Sequence, residues 1–441
     1  MTPQLLLLKI LILAVQTASA DPYVQVGTAK TKKTIVAIQA SRVTSPDLGE
    51  YSKQIQSTIT NDLLFMDQFK ILAPTSFIED ESQSGVALGS FKMTDWSSIG
   101  AEFLVKSSLK SEDGQLALEA YIYEVASGKQ VLARRYTGDR KDHKIISRTF
   151  GNQIIETLTG LPGIFLTKIA MSCDRSGKKE IYVMDFDGTN VKQVTNHRSI
   201  AFAPAWNTEG TKLAYSLYTK RRDNVKNIDL YEFDFATNRV KLLSDRKGIN
   251  SGAYYHPKKP LLAMTMSFLG NPEVFTLNQS NNTVTRLTNS FGFDVDPSFS
   301  PDGSKITFVS SRSGMPMVYS MNEDGSKIQR LTYAGRYNAT PNWSPNGSKI
   351  SFAGWIDSSF DIFIMNSDGS HIERLTKNMG NNEDPYYSPD GNFIVFSSSR
   401  AGGKNIYVMN IDGSYVKRLT FGMGQCVAPK WSRPLVVIPK K

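Results

Sequence analysis

Apolar side chains recur along this chain with two periods. From about residue 165 onward they alternate with polar ones, as in strands buried on one face; earlier, two stretches space them as helices do. The alternation is plainest over residues 305–310. Ser300-Pro301-Asp302-Gly303 precedes that run and reads as a tight turn, with Pro presetting φ and Gly free to take positive φ. A second turn, Asn322-Glu323-Asp324-Gly325, separates apolar runs at 317–321 and 328–331. Residues 297–300 supply a first strand. The unit therefore predicts four short antiparallel strands and no helix.

The unit repeats. Arg-Leu-Thr triplets end at Thr288, Thr332, Thr376 and Thr420, 44 residues apart each time, and weaker copies end at Thr195 and Ser244. Six all-β units of this period predict a six-bladed β-propeller with four-stranded blades. An open stack of hairpins would leave two sheet edges bare, and closing the ring protects them. The first unit lacks its opening strand and starts near Phe165. The missing strand stands at the other terminus as Ala428-Pro429-Lys430-Trp431-Ser432, so the C-terminal strand is expected to close the ring.

The chain before the ring predicts a small α/β domain, 34–160, with a linker at 161–164 and the propeller over 165–441. Residues 34–40 and 69–72 read as strands, and 46–66 and 145–158 as amphipathic helices. A short helix is expected at 95–99 and three further strands at 103–109, 116–125 and 130–136. Residues 1–20 read as a secretory signal cleaved after Ala20, with Ala18-Ser19-Ala20 as the cleavage site and Lys9 as an irregularity in the apolar run. Residues 21–33 are polar and basic and form a leader without an apolar face of its own. No run of eighteen apolar residues occurs, so no membrane-spanning helix is expected.

The net charge of +10 belongs to the propeller: 21–163 hold 16 Lys and Arg against 17 Asp and Glu, and 164–441 hold 34 against 24. A basic disc suits an acidic protein or a cell-wall polymer, or is simply a solvated surface. Aligning repeats brings Cys173 level with Ser310 and Cys426 level with Asp294, neighbours in an antiparallel pair. They form either a disulfide across the ring closure or two free buried thiols.

Motifs for chemistry are sparse. No Gly-x-Ser-x-Gly elbow occurs. The four histidines, His143, His197, His256 and His371, lack ligand spacing, so no metal or cofactor is expected; His256 and His371 read as surface residues. The Asp-rich turns at 185–188 and 366–369 lack the distal ligands of a calcium loop. Trp206, Phe299, Trp343, Tyr387 and Trp431 share one repeat position, and one aromatic per blade predicts packing rather than a cage. What differs between units is the set of loops after Arg-Leu-Thr and those between second and third strands. Alternation along four strands places both sets on one face, and the Ser-Pro-Asp-Gly and Asp-Gly-Ser turns on the other. Unlike loops on a rigid ring point to binding.

A signal, a small α/β domain, six repeats of this form and a terminal closing strand resemble the TolB family over nearly the whole chain. The resemblance implies a non-catalytic periplasmic protein of the Tol–Pal system, linking TolA to the outer-membrane lipoprotein Pal and supporting outer-membrane integrity and constriction during division. It implies a Pal-like peptidoglycan-associated lipoprotein, and other outer-membrane lipoproteins, on the loop face, with Asn250, Ser251, Asp294, Asp296, Arg336, Asn338, Asn382 and Glu383 as contact positions. It implies the TolA C-terminal domain on the leader, with Asp21, Tyr23, Val24, Val26, Lys30, Lys32 and Lys33 as contacts. No nucleic acid is implied. Two departures stand out: the leader is Lys-rich, and the third blade reads Tyr255-His256-Pro257-Lys258-Lys259 where Ser-Pro-Asp-Gly is expected. Two other readings compete: a propeller hydrolase or lactonase with a channel metal, and a cell-wall glycan-binding module.

Overall fold

The computed structural model describes residues 32–79, 84–221 and 224–434. The expected signal, and the leader up to residue 31, lie outside them.

The first sheet runs in the order Phe69–Ile71, Thr34–Ile38, Phe103–Glu112, Gln115–Glu124, Lys129–Gly138. Its first three strands are parallel, and the last three form antiparallel hairpins. Helix α1 (Gly49–Phe65) follows a 3-10 turn at Pro46–Leu48, because Pro46 has no N–H to give and fits only a first turn. The short α2 is Met93–Ser98, and α3 is His143–Thr159. The apolar stripes Ile55, Ile59 and Leu63 of α1 and Ile146, Phe150 and Ile154 of α3 are buried together, as their spacing predicted. Gly160 ends α3 at φ 73°, a left-handed cap whose N–H donates to the Glu156 carbonyl at 2.9 Å.

Six four-stranded sheets follow. Five are contiguous, such as Asp294–Phe299, Lys305–Ser310, Met317–Asn322 and Gln329–Arg330. The sixth is built from both ends of the ring: Cys426–Trp431 pairs antiparallel with Lys168–Cys173. Trp431 Nε1 donates to Thr167 Oγ1 at 2.7 Å, and Ser432 Oγ accepts from the Lys168 amide at 2.8 Å. Cys426 stands opposite Cys173 in that register, and the two sulfurs are bonded.

The repeated residues have repeated tasks. Each closing Thr accepts a backbone N–H from its own third strand: Thr288 from Val274 at 3.0 Å, Thr332 from Val318, Thr376 from Ile362 and Thr420 from Ile406 at 2.9 Å each. This fixes the short outer strand to the blade. Gly325, at φ 85°, packs on the preceding blade: a Cβ there would stand 2.7 Å from the Leu287 carbonyl oxygen. Phe299, Trp343, Tyr387 and Trp431 are all at most 6 % exposed, which is the packing role expected of them.

Blade three departs where its sequence does, and one expectation is corrected there. His256 is buried, not on the surface. Its Nδ1 accepts the amides of Lys258 and Lys259, both at 2.9 Å, and so stands in for the Ser-Asp pair that caps the turns at Ser300 and Ser388. Its ring lies edge-on to Phe299 at 4.8 Å.

The α/β domain sits on the turn face of the ring, and one apolar cluster runs through both. Phe65 of α1 meets Phe186 at 4.9 Å and Phe393 at 5.4 Å. Beside it, buried Arg148 of α3 donates to Asp185 at 2.7 Å, Asp187 at 2.6 Å and Asp62 of α1 at 3.3 Å. Burial pushes Asp62 up to about 7; the pull of Arg148 opposes this, and the charge on Asp187 adds to it. Asp185 is buried too, but hydrogen bonding and charge from Lys168, with Arg148 and Asn190, hold it below its ordinary value.

Candidate interaction face and funnel

The loop face lies opposite the α/β domain and opens into the central funnel. Every inner strand carries a bulge, seen as a register shift against its neighbour. At each bulge one residue takes positive φ: Ala203, Gly252, Asp296, Thr340, Asp384 and Ala428. A bulge re-aims its side chain, and here it turns these positions toward the axis. Pro follows five of the six, and its missing N–H is tolerated because the ladder is already interrupted there.

The funnel is a cavity of about 600 Å³ lined by Asp296, Asp384, Lys430, Thr340 and Tyr254, with Ser251, Glu383 and Lys404 toward its mouth. Asp384 accepts the Ala428 amide at 3.0 Å and the Ser397 hydroxyl at 3.1 Å. Lys430 Nζ lies 4.8 Å from the centre of the Tyr386 ring. Loss of solvent in the channel pushes Asp296 up, against the pull of Lys430, and lowers Lys430, against the pull of Asp384 and Asp296. Two carboxylates and one ammonium thus face each other across a partly dehydrated channel. This arrangement suits a polar or charged group presented from outside. At the mouth Lys404 pairs with Glu383.

The expected contact positions divide. Ser251, Asp296, Arg336 and Glu383 line cavities on the loop face. Asn250, Asp294, Asn338 and Asn382 do not: each is fully buried at the first or second position of an inner strand. Asn250 donates to the Ile228 and Arg246 carbonyls, Asn338 to that of Ala334, and Asn382 to Asp361, while Asp294 pairs with Arg312 at 2.8 Å. These four shape the loops from beneath rather than touching what lies above. Among the leader positions, Lys32 and Lys33 are within the described residues and pair with Glu102 and Asp67 of the α/β domain, both at 2.6 Å. Asp21, Tyr23, Val24, Val26 and Lys30 lie outside them. Asp384, Thr340, Tyr254 and Lys430 were not singled out by sequence. For Thr340 and Asp384 the usable signal was the place before the inner-strand Pro, filled by Ala203, Asp296, Thr340, Asp384 and Ala428 in the five blades that have that Pro.

A closed ring with a polar funnel, seated on an α/β domain, defines a propeller that presents surface through its free loop face. Family models agree in both parts: one described as the TolB beta propeller domain matches residues 155–356 and 338–435, and one described as the TolB amino-terminal domain matches 22–131. The chain belongs to the TolB family. It is 35 % identical over 280 residues to the Tol-Pal system protein TolB of Desulfosudis oleivorans, covering 63 % of this chain and 62 % of that one. It is also 35 % identical over 263 residues to the Protein TolB homolog of Chlorobium chlorochromatii, covering 60 % and 58 %. The matched stretches thus span less than two thirds of these relatives. The crystal structure of TolB from Acinetobacter baumannii superposes with a TM-score of 0.79 at 22 % identity, covering 91 % of this chain and 97 % of that one, which speaks to the fold.

Proposed function

We propose that this protein is a periplasmic scaffold of the Tol–Pal system. It is exported with cleavage after Ala20, and it acts by binding rather than by catalysis. In this reading the loop face receives a Pal-like lipoprotein through Ser251, Arg336 and Glu383, with the funnel carboxylates Asp296 and Asp384 behind them. The leader, 21–33, engages the TolA C-terminal domain, and the assembly supports outer-membrane integrity and constriction. The observation that carries the reading is a TolB-family ring whose loop face is left open by its α/β domain. The naming of the Desulfosudis oleivorans relative as a Tol-Pal system protein supports it. The competing metal hydrolase is disfavoured by Lys430, whose ammonium faces Asp296 and Asp384 where a divalent cation would need to sit.

Affinity capture from membranes, with and without residues 21–33, tests it. The deletion is expected to lose a TolA-like partner and keep a lipoprotein. Retention of both partners by the deleted protein removes the leader's role, and capture of neither by the intact protein removes the scaffold reading.

A further inference from the structure

The loop face carries exposed apolar tips that neither the blades nor the funnel use. Phe291 is 106 % exposed, Tyr333 71 %, Phe421 69 % and Leu269 57 %. Phe291, Tyr333 and Phe421 follow Thr288, Thr332 and Thr420 by three, one and one residues, in the equivalent loops that close blades three, four and six. Equivalent loops lie on one side of the ring, so these tips share the loop face.

Two tips carry a cation in the same place. Arg330 lies 4.8 Å from the Tyr333 ring centre and Arg418 lies 4.7 Å from that of Phe421, each with its Nε donating 2.6 Å to the carbonyl of the closing Thr. An apolar ring beside a guanidinium suits the boundary between acyl chains and headgroups. One sector of the face adds charge of the same sign, while blade five presents the exposed acid Asp357. Arg175, Lys178, Arg198, Lys220, Arg221 and Lys247 are exposed on the loops of blades one to three, where Asp245 is the exposed acid among the described residues.

We propose that the rim of the loop face docks on an anionic lipid surface, with the aromatic tips entering the headgroup region and the basic sector drawn to the phosphates. Charge complementarity selects this occupant, and exposed aromatic rings beside guanidinium groups suit its headgroup boundary. The inference does not rest on the scaffold reading.

Sedimentation of the purified protein with vesicles tests it, using phosphatidylglycerol mixed with phosphatidylethanolamine against pure phosphatidylcholine. Low-salt binding to the anionic vesicles is expected, at least tenfold stronger than to phosphatidylcholine and weakened by salt. The combined variant Phe291→Ser, Tyr333→Ser, Phe421→Ser should bind at least tenfold more weakly, with an unchanged melting temperature. Phe291→Trp should add fluorescence that shifts to the blue with anionic vesicles. The proposal is overturned by absence of binding, by binding of the triple variant equal to wild type, or by no shift at Trp. It is also overturned if soluble polyglutamate binds as tightly as the vesicles, since the face would then be one for acidic proteins. Vesicle binding lost while partner capture persists would remove this inference and leave the scaffold reading standing.

Discussion

Replacing Arg148 with Met should loosen the junction between the two domains in a way that depends on pH. Arg148 is 4 % exposed, and it is the cation shared by Asp62, Asp185 and Asp187. Met fills much of the stem's volume but brings no charge. Removing one partner from a buried ionic cluster costs about 3–5 kcal/mol, because the charges left behind keep their desolvation penalty. Asp185 retains Lys168 and the Asn190 amide at 2.7 Å, so the loss at that position is softened. Asp62 is different, since its carboxyl is already raised to about 7 and Arg148, more than Lys144, restrains it from rising further.

The sign follows from proton counting. At pH 6 Asp62 holds its proton in both folded proteins, so only the loss at Asp185 and Asp187 is felt. Above pH 7 the wild type releases that proton against Arg148, whereas the variant keeps it to a higher pH. The folded variant then binds more protons than the folded wild type. Its stability relative to wild type falls as pH rises, by up to about 1.4 kcal/mol per pH unit. Urea unfolding at pH 6 and pH 9 measures this. A gap that is equal at the two pH values, or narrower at pH 9, refutes the reasoning. Adding Asp62→Asn to the variant should abolish the widening.

Three further outcomes are expected. Reduction of the disulfide, or Cys426→Ser, should lower stability by up to roughly 5 kcal/mol, the chain-entropy value for so long a loop, read as a drop in the urea midpoint. Trp431→Ala should cost about 3–5 kcal/mol and free the closing strand, detected as faster amide exchange in Lys168–Cys173. Gly325→Ala should cost about 2 kcal/mol through positive φ and contact with the Leu287 carbonyl, measured by calorimetry.

The ring was legible because its information is local and repeated. A Pro-Asp-Gly turn, an alternating strand and a closing Thr each specify their own few residues, and six copies specify closure. The α/β elements were legible for the same reason, since Ile55, Ile59 and Leu63 announce one buried face by spacing alone. Ser-Pro-Asp-Gly gave way to a histidine cap in blade three, where the order of residues flagged a change but not that His256 would turn inward to bind two amides. The buried fate of Asn250, Asp294, Asn338 and Asn382 was not readable, because a polar residue at a loop edge looks alike whether it meets solvent or holds a neighbouring carbonyl. The meeting of Asp296, Asp384 and Lys430, and of Arg148 with three aspartates from two domains, required the tertiary structure. Those groups are far apart in the chain, and what they become depends on the water that closure of the ring and docking of the domain take away.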